Sequence, residues 1–160
     1  MAKNSKSGDN ALAMNRKAGH DYIILEKYEA GIKLCGTEVK SCRAHDIAMT
    51  DSYVKIENGN ALLLNVHIAP YKNGGMFNHD PKRPKQLLMH KQEILKLCQQ
   101  IAQKGCTVVP LGFYLKGGLI KVSLGLCKGK TVGDKRETLR EKQHDMDTKR
   151  AISDAARGRK

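Results

Sequence analysis

The stretch Asn15–Arg43 reads NRKAGHDYIILEKYEAGIKLCGTEVKSCR. It opens on a basic pair, Arg16-Lys17, and enters an apolar segment, Tyr22–Leu25, with the composition of a strand. Glu29-Ala30-Gly31 reads as a turn and Ile32–Leu34 as a second short strand. Gly36-Thr37 then leads to a helix from about Glu38 to Ala44-His45. Thr37 is its expected cap, since a hydroxyl there can accept from an unpaired N–H of the first turn. Strand, turn, strand and helix follow without slack, so the segment reads as packed core.

Outward from this stretch the pattern is mostly β. Ser52–Glu57 alternates, Asn58-Gly59 turns, and Ala61–Ile68 returns. Asn-Gly suits a two-residue type I′ turn, in which both positions need positive φ. Leu62-Leu63-Leu64 is apolar on both faces, which calls for a second layer or a closed barrel. A second hairpin runs Thr107–Leu115, Gly117-Gly118, Leu119–Leu126. Pro110 places its strand at an edge or a bend, and Gly112 and Gly125 mark bulges or corners. Between the hairpins lie a basic loop, Tyr71–Pro84, with Lys72, Lys82, Arg83 and then Lys85, and a helix from His90 to Lys104. The loop reads either as a phosphate-contacting element or as a solvated connector. Ile94, Leu97, Cys98 and Ile101 form one apolar helix stripe, Glu93 completes a weak capping box with His90, and Gly105 is the C-terminal cap.

The ends differ from this body. Residues 1–13 are small and polar and read as a flexible N-terminus. Residues 14–127 form the expected domain and 128–160 a basic tail. The tail carries eleven Lys and Arg against six acids, an excess of five, in a chain whose net charge is +13. Asp134 and Glu137 suit a helix start, yet Leu139, Met146 and Ile152 are too few to bury a helix alone. The expectation is a tail disordered when free and helical against a charged partner.

The charge favours a polyanion, nucleic acid before an anionic membrane. No run of about 18 apolar residues is present, so no transmembrane helix is expected. The N-terminus lacks the apolar core of a signal peptide, which points to the cytoplasm. Five cysteines, Cys35, Cys42, Cys98, Cys106 and Cys127, lack any C-x-x-C pairing and read as reduced, mostly core thiols. No phosphate-binding, zinc-protease or hydrolase motif occurs, and the histidines are scattered, so the chain reads as a binder without catalytic, metal or cofactor sites. Two Phe, five Tyr and no Trp make a poor stacking platform for unstructured single strands. Recognition of a folded RNA by shape and phosphate contacts fits better.

The wording of several segments is more specific. Asn15-Arg16-Lys17-Ala18, His20-Asp21-Tyr22, Tyr28–Gly31 and Gly36–Ser41 are followed by Asp51–Val54, His67–Tyr71, Phe77–Pro81, Leu87–Lys91 and Asp134–Glu137. In this order, over about residues 13–142, they resemble small protein B, the SsrA-binding protein family of bacteria. The resemblance implies an OB-like, six-stranded antiparallel barrel with flanking helices. It implies binding to the tRNA-like domain of transfer-messenger RNA (tmRNA) and trans-translation on stalled 70S ribosomes, as a monomer without catalytic activity. The alanyl-tRNA synthetase and the elongation factor that carries aminoacyl-tRNA are implied as proteins acting on the same RNA.

Carried over by position, the resemblance places RNA contacts at Asn15, Arg16, Lys17, His20, Glu29, Leu88, His90, Lys121, Lys128 and Lys130. Glu29 would accept from base or ribose donors, or else serve its turn. Leu88 would pack on a base or fill the core. Asp134, Lys135 and Arg136 match the tail motif for the ribosome's decoding centre and small-subunit rRNA. Gly133 stands where some members have a stacking residue, and Gly19 where a basic residue is common. The competing reading is a general basic RNA chaperone or ribosome-associated OB protein.

Overall fold

The computed structural model describes residues 10–158. Nine strands and four helices follow one another as β1 (Ala11–Met14), α1 (Arg16–Asp21), β2 (Tyr22–Ile32), α2 (Gly36–Arg43), β3 (Ile47–Ala48), β4 (Tyr53–Glu57), β5 (Asn60–Leu64), β6 (His67–Ile68), β7 (Lys85–Leu88), α3 (Lys91–Lys104), β8 (Thr107–Lys116), β9 (Leu119–Gly129) and α4 (Val132–Arg157). The main sheet has the order β1-β8-β4-β5-β7-β2-β9, and β8 also pairs with β9. Six strands therefore form a ring of antiparallel pairings, with β1 laid along β8 and a short β3–β6 ladder beside it. The fold is mainly β with flanking helices.

β2 is where local reading and structure part. Glu29-Ala30-Gly31 is not a turn: β2 runs unbroken to Ile32, with these three residues opposite Ser123, Val122 and Lys121 of β9. Ala30 and Val122 are both buried, so cross-strand packing outweighs the local turn preference. The register slips once, between Ile24 and Glu26, a bulge that lets the strand curve around the ring. Inside the ring, Leu63, Phe113, Val122, Leu124 and Leu126 pack with Ile94 and Leu97 of α3. The helix stripe is narrower than its spacing suggested, since Cys98 is exposed. Cys42, Cys106 and Cys127 are buried, Cys35 and Cys98 are not, and all five are free.

Both hairpin turns have the expected geometry: Asn58 and Gly59 lie at φ 51° and 74°, Gly117 and Gly118 at 58° and 78°. The return strand of the first hairpin stops at Leu64, where Asn65 turns the chain at φ 60°. Pro110 lies at a bend rather than on an edge. β4 meets β8 at Val108, β1 meets it at Gly112, and the register with β9 slips between Pro110 and Gly112. A Cβ on Gly112 would stand 2.9 Å from the Ala13 carbonyl oxygen, so β1 can lie this close only against glycine.

That approach gives order to the last residues of the stretch read as a flexible end. Ala11–Met14 is a strand, and Leu12 is buried; residues 1–9 lie outside the described part. At the other boundary β9 continues to Gly129, with Lys128 opposite Ile23, so the body ends two residues later than expected. α2 is capped at Cys35, not Thr37, because the carboxylate of Glu38 reaches back to the Cys35 N–H at 2.7 Å. The basic tail forms α4, 26 residues long, about 39 Å at 1.5 Å per residue. Its cap is Thr131, one residue before the helix, whose hydroxyl accepts from the Asp134 N–H while Asp134 accepts from the Thr131 N–H. Asp134 is thus the third helical residue rather than the cap. None of its described side chains is buried.

Candidate nucleic-acid interface

The sequence-predicted residues fall into two groups at opposite ends of the β2–β9 ladder. The first gathers around α1. Asn15 is its N-cap: Oδ1 accepts from the Ala18 N–H at 3.2 Å and Nδ2 donates to the Pro110 carbonyl at 2.9 Å. Both polar atoms of that side chain are committed to the fold, so its contribution is to hold α1 on the bent strand. α1 buries Ala18 over a small cluster with Val109 and Cys127 and leaves Arg16 and Lys17 exposed. Lys17 pairs with Asp51 at 3.1 Å. His20 shares a 2.9 Å hydrogen bond with Asp21, and that bond, with Lys135 at 3.4 Å, holds the Asp21 carboxyl below the usual carboxylate range.

Residues from the far end of the chain complete this group. Lys130 donates from its backbone to the Asp21 carbonyl and from Nζ to the Gly19 carbonyl at 3.1 Å. Lys128 is exposed beside it on β9. Arg16, Lys17, His20, Lys128, Lys130 and Lys135 therefore stand on one end of the molecule, although more than a hundred residues separate the two sets in sequence. Arg136 is exposed on the first turns of α4.

The second group surrounds an open groove of about 630 Å³ lined by Glu29, Leu88, His90 and Lys121, together with Gly31 and Asn60. Four predicted contacts from three strands and a helix cap thus meet in one place. Alternation along β2 turns Glu29 outward. Its carboxylate accepts from the Tyr114 hydroxyl and from Lys116 Nζ at 3.1 Å. These bonds hold its carboxyl below the usual range, while burial and the Glu29 charge push the Tyr114 phenol up. Glu29 is therefore ionised and partly exposed, with lone pairs left for further donors. Leu88 is 56% exposed, which excludes it from the core. His90 caps α3 through its backbone, which leaves its exposed imidazole free to point elsewhere.

From Ile23 to Glu29 is six residues of strand, about 20 Å at 3.3 Å per residue. The two groups are thus joined by the outer face of β2, β9 and β8, which carries Lys27 and Ser123 between them. Sequence reading missed Tyr114 and Lys116, though their alternation with buried Phe113 places Tyr114 on this outer face. It also counted all the basic residues near Tyr71–Pro84 alike. Lys85 is in fact wholly buried and donates to the Val66 and Arg83 carbonyls, and Arg83 pairs at 2.7 Å with buried Glu38. Only Lys72 and Lys82 of that set are exposed surface charges.

A ring of antiparallel strands with a basic helix end and an outer groove defines a β-rich domain with the surface of a binding protein. The protein-family model described as SmpB protein matches residues 12–154, and the chain belongs to this family. Among curated relatives, the SsrA-binding protein of Ligilactobacillus salivarius is 51% identical, over 95% of this chain and 97% of its own length. That of Microcystis aeruginosa is 53% identical, covering 86% of this chain and 90% of its own. A solved structure described as "tmRNA-SmpB: a journey to the center of the bacterial ribosome" superposes with a TM-score of 0.66 at 48% identity. It spans 80% of this chain and 94% of its own. No helix among the described residues is long and apolar enough to cross a membrane.

Proposed function

We propose that this chain is a non-catalytic RNA-binding factor of trans-translation. It binds the tRNA-like domain of tmRNA and brings it to ribosomes stalled without a usable stop codon. The observation that carries this reading is the convergence of Glu29, Leu88, His90 and Lys121 on one groove, in a chain whose relatives are named SsrA-binding proteins. The ring of strands serves as an OB-like barrel that presents this surface rigidly. Glu29 accepts from base or ribose donors, Leu88 covers a base face, and His90 and Lys121 reach ribose or phosphate oxygens. At the other end Arg16, Lys17, His20, Lys128 and Lys130 contact phosphates, with Asn15 holding α1 in place. Such a division, phosphate contacts for position and edge contacts for recognition, is general to nucleic-acid interfaces.

The tail acts on the ribosome. Asp134, Lys135 and Arg136 enter the decoding centre and contact small-subunit rRNA, with the rest of α4 in the mRNA channel. With no described side chain of α4 buried, its helix gains little from packing on the body, and contact with that charged wall is what holds it in place on the ribosome. The synthetase that charges tmRNA with alanine and the elongation factor that carries aminoacyl-tRNA are partners through the shared RNA. The protein works in the cytoplasm as a monomer.

The test is competition between the isolated tRNA-like domain and ordinary tRNA over a salt series, with wild-type chain and Glu29→Gln. Phosphate contacts weaken steeply with salt on any RNA, whereas shape-specific contacts keep the preference. The expected result is a preference that persists at high salt and falls in the variant. Equal binding to both RNAs, fading together with salt, would instead leave a general basic RNA chaperone.

A further inference from the structure

The loop between β6 and β7 holds two large apolar side chains in water. Met76 is 96% exposed and Phe77 88% exposed, on a single 3-10 turn, Gly75–Phe77. Neither lines the groove. An exposed Phe alone needs no explanation; what does is the amount of structure spent on keeping this one out.

The turn is pinned from both sides. Asn78 closes it with two bonds to one residue: its Oδ1 accepts from the Tyr71 N–H at 2.9 Å and its Nδ2 donates to the Tyr71 carbonyl at 2.8 Å. Gly74 packs so tightly beneath this clasp that a Cβ would stand 2.8 Å from the Asn78 amide, and Gly75 sits at φ 54°. His79 then anchors the exit. Its Nε2 faces the Ile68 carbonyl at 2.9 Å, an acceptor, so Nε2 carries the proton and Nδ1 accepts from the Thr37 hydroxyl at 2.9 Å. The backbone that carries Phe77 is thus held in place before any partner arrives, which lowers the entropic cost of binding.

Its surroundings decide what the partner is. Lys72 and Lys82 flank the turn and are exposed, and Lys40 of α2 lies 5.0 Å from the centre of the Tyr71 ring. Of the acids nearby, Glu38 is buried on Arg83, while Asp80 is exposed and accepts from the Lys82 N–H. An exposed aromatic ring on a loop that carries an exposed lysine on either side of it in sequence suits an unpaired base with its phosphates.

We infer that Phe77, backed by Met76, is a stacking contact for an unpaired base of a structured RNA, with Lys72 and Lys82 on the adjoining phosphates, separate from the groove and the α1 surface. The inference rests on the reading of this chain as a tmRNA-binding ribosome factor. The base belongs either to tmRNA or to ribosomal RNA, and the two arms of the experiment separate them.

The experiment uses the full chain with Phe77→Ala and Phe77→Trp, each titrated with the isolated tRNA-like domain and, separately, with vacant small ribosomal subunits. The chain has no Trp, so the introduced indole is a sole reporter. Phe77→Ala is expected to melt with the wild type and to bind one of the two targets about ten- to a hundredfold more weakly, the usual cost of losing one stacked base. Phe77→Trp is expected to bind that target normally, with its emission quenched. Loss on the first target assigns the base to tmRNA, and loss on the second to ribosomal RNA. Unchanged affinity of Phe77→Ala for both targets overturns the inference. So does a loss on subunits in which the introduced tryptophan is not quenched, which would mean docking on a ribosomal protein. A wild type that fails to prefer the tRNA-like domain over tRNA refutes the earlier functional reading alone, because the Phe77 comparison is made against wild type on each target.

Discussion

Glu38→Gln tests whether the buried ionic cluster of Glu38, Arg83 and Lys85 holds α2 to the basic loop. Glu38 is fully buried; its carboxylate accepts from the Cys35 N–H at 2.7 Å and from Arg83 through Nε at 3.2 Å and Nη2 at 2.7 Å. Lys85, equally buried, feels the same negative charge while donating to two carbonyls. The amide keeps the shape but removes the charge. Arg83 is 35% exposed and can turn to water; Lys85 cannot, and is left as an uncompensated buried cation. Breaking such a cluster costs about 3–5 kcal/mol. Partial relief at Arg83 favours about 3 kcal/mol, or a fall in Tm of roughly 10 °C for a domain of this size. Thermal melts followed by circular dichroism measure it, with exposed Lys82→Gln as the control expected to stay within about 0.5 kcal/mol.

The same experiment has a pH arm. Burial pushes the Glu38 carboxyl up, but the Arg83 and Cys35 hydrogen bonds and the nearby cations outweigh it, so its folded pKa is depressed. A depressed carboxylate contributes stability that is fully present above its unfolded value, about 4.3, and is lost as pH falls through the folded value. The gap between wild type and Glu38→Gln is therefore expected to be constant from pH 8 to 5 and to close below about pH 4. A variant melting within 3 °C of wild type at pH 7, or a gap that persists unchanged in acid, would refute the reasoning.

Gly112→Ala is expected to destabilise by about 1–3 kcal/mol, because the new Cβ meets backbone rather than a side chain that can rotate away. Amide exchange at the β1 residues, faster than in wild type while β4–β5 is unchanged, is the sign that β1 has been pushed off. Leu88→Ala, at a half-exposed position, is expected to leave stability within about 0.5 kcal/mol. It should weaken tRNA-like-domain binding about tenfold in a filter or anisotropy assay; an equal loss of Tm would show that the side chain serves packing. Lys128→Gln removes an exposed cation of the α1 group, and a salt titration of binding is expected to show a slope lower by about one, with the preference over tRNA intact.

Elements with a local signature were legible in the sequence. Asn58-Gly59 and Gly117-Gly118 announced both hairpins because a type I′ turn makes a demand that few residues meet. Gly105 and the apolar stripe gave α3. Where tertiary contact decides, the reading failed. Glu29-Ala30-Gly31 has turn composition, and only the nine paired residues of β9 make it strand. Ala11–Met14 is too short to signal a strand, and becomes one because Gly112 leaves room for it. The charges of Lys72, Lys82, Arg83 and Lys85 look alike in a sequence, yet burial divides them into two that face water and two that serve the fold. The candidate site was legible only as separate residues carried by family resemblance. That Glu29, Leu88, His90 and Lys121 share a groove depends on the β2–β7 and β2–β9 pairings, which no local pattern states.

The correction at Glu29 also changes its chemistry. In a turn, a glutamate is mobile and its carboxylate serves whichever backbone N–H lies near. In the middle of β2 it is held at a fixed height on the outer face, with Tyr114 and Lys116 each occupying part of the carboxylate. If this surface meets RNA as proposed, an ionised acid there repels any RNA that offers it only phosphate, and gains only where a base or ribose donor falls on the open lone pairs. On the proposed reading it would act against ill-fitting RNAs as much as for the fitting one, letting a chain of net charge +13 discriminate among polyanions that all satisfy its lysines. Removing the charge at Glu29 should accordingly raise affinity for ordinary tRNA while lowering it for the tRNA-like domain, a crossing of the two effects that simple loss of a contact would not produce.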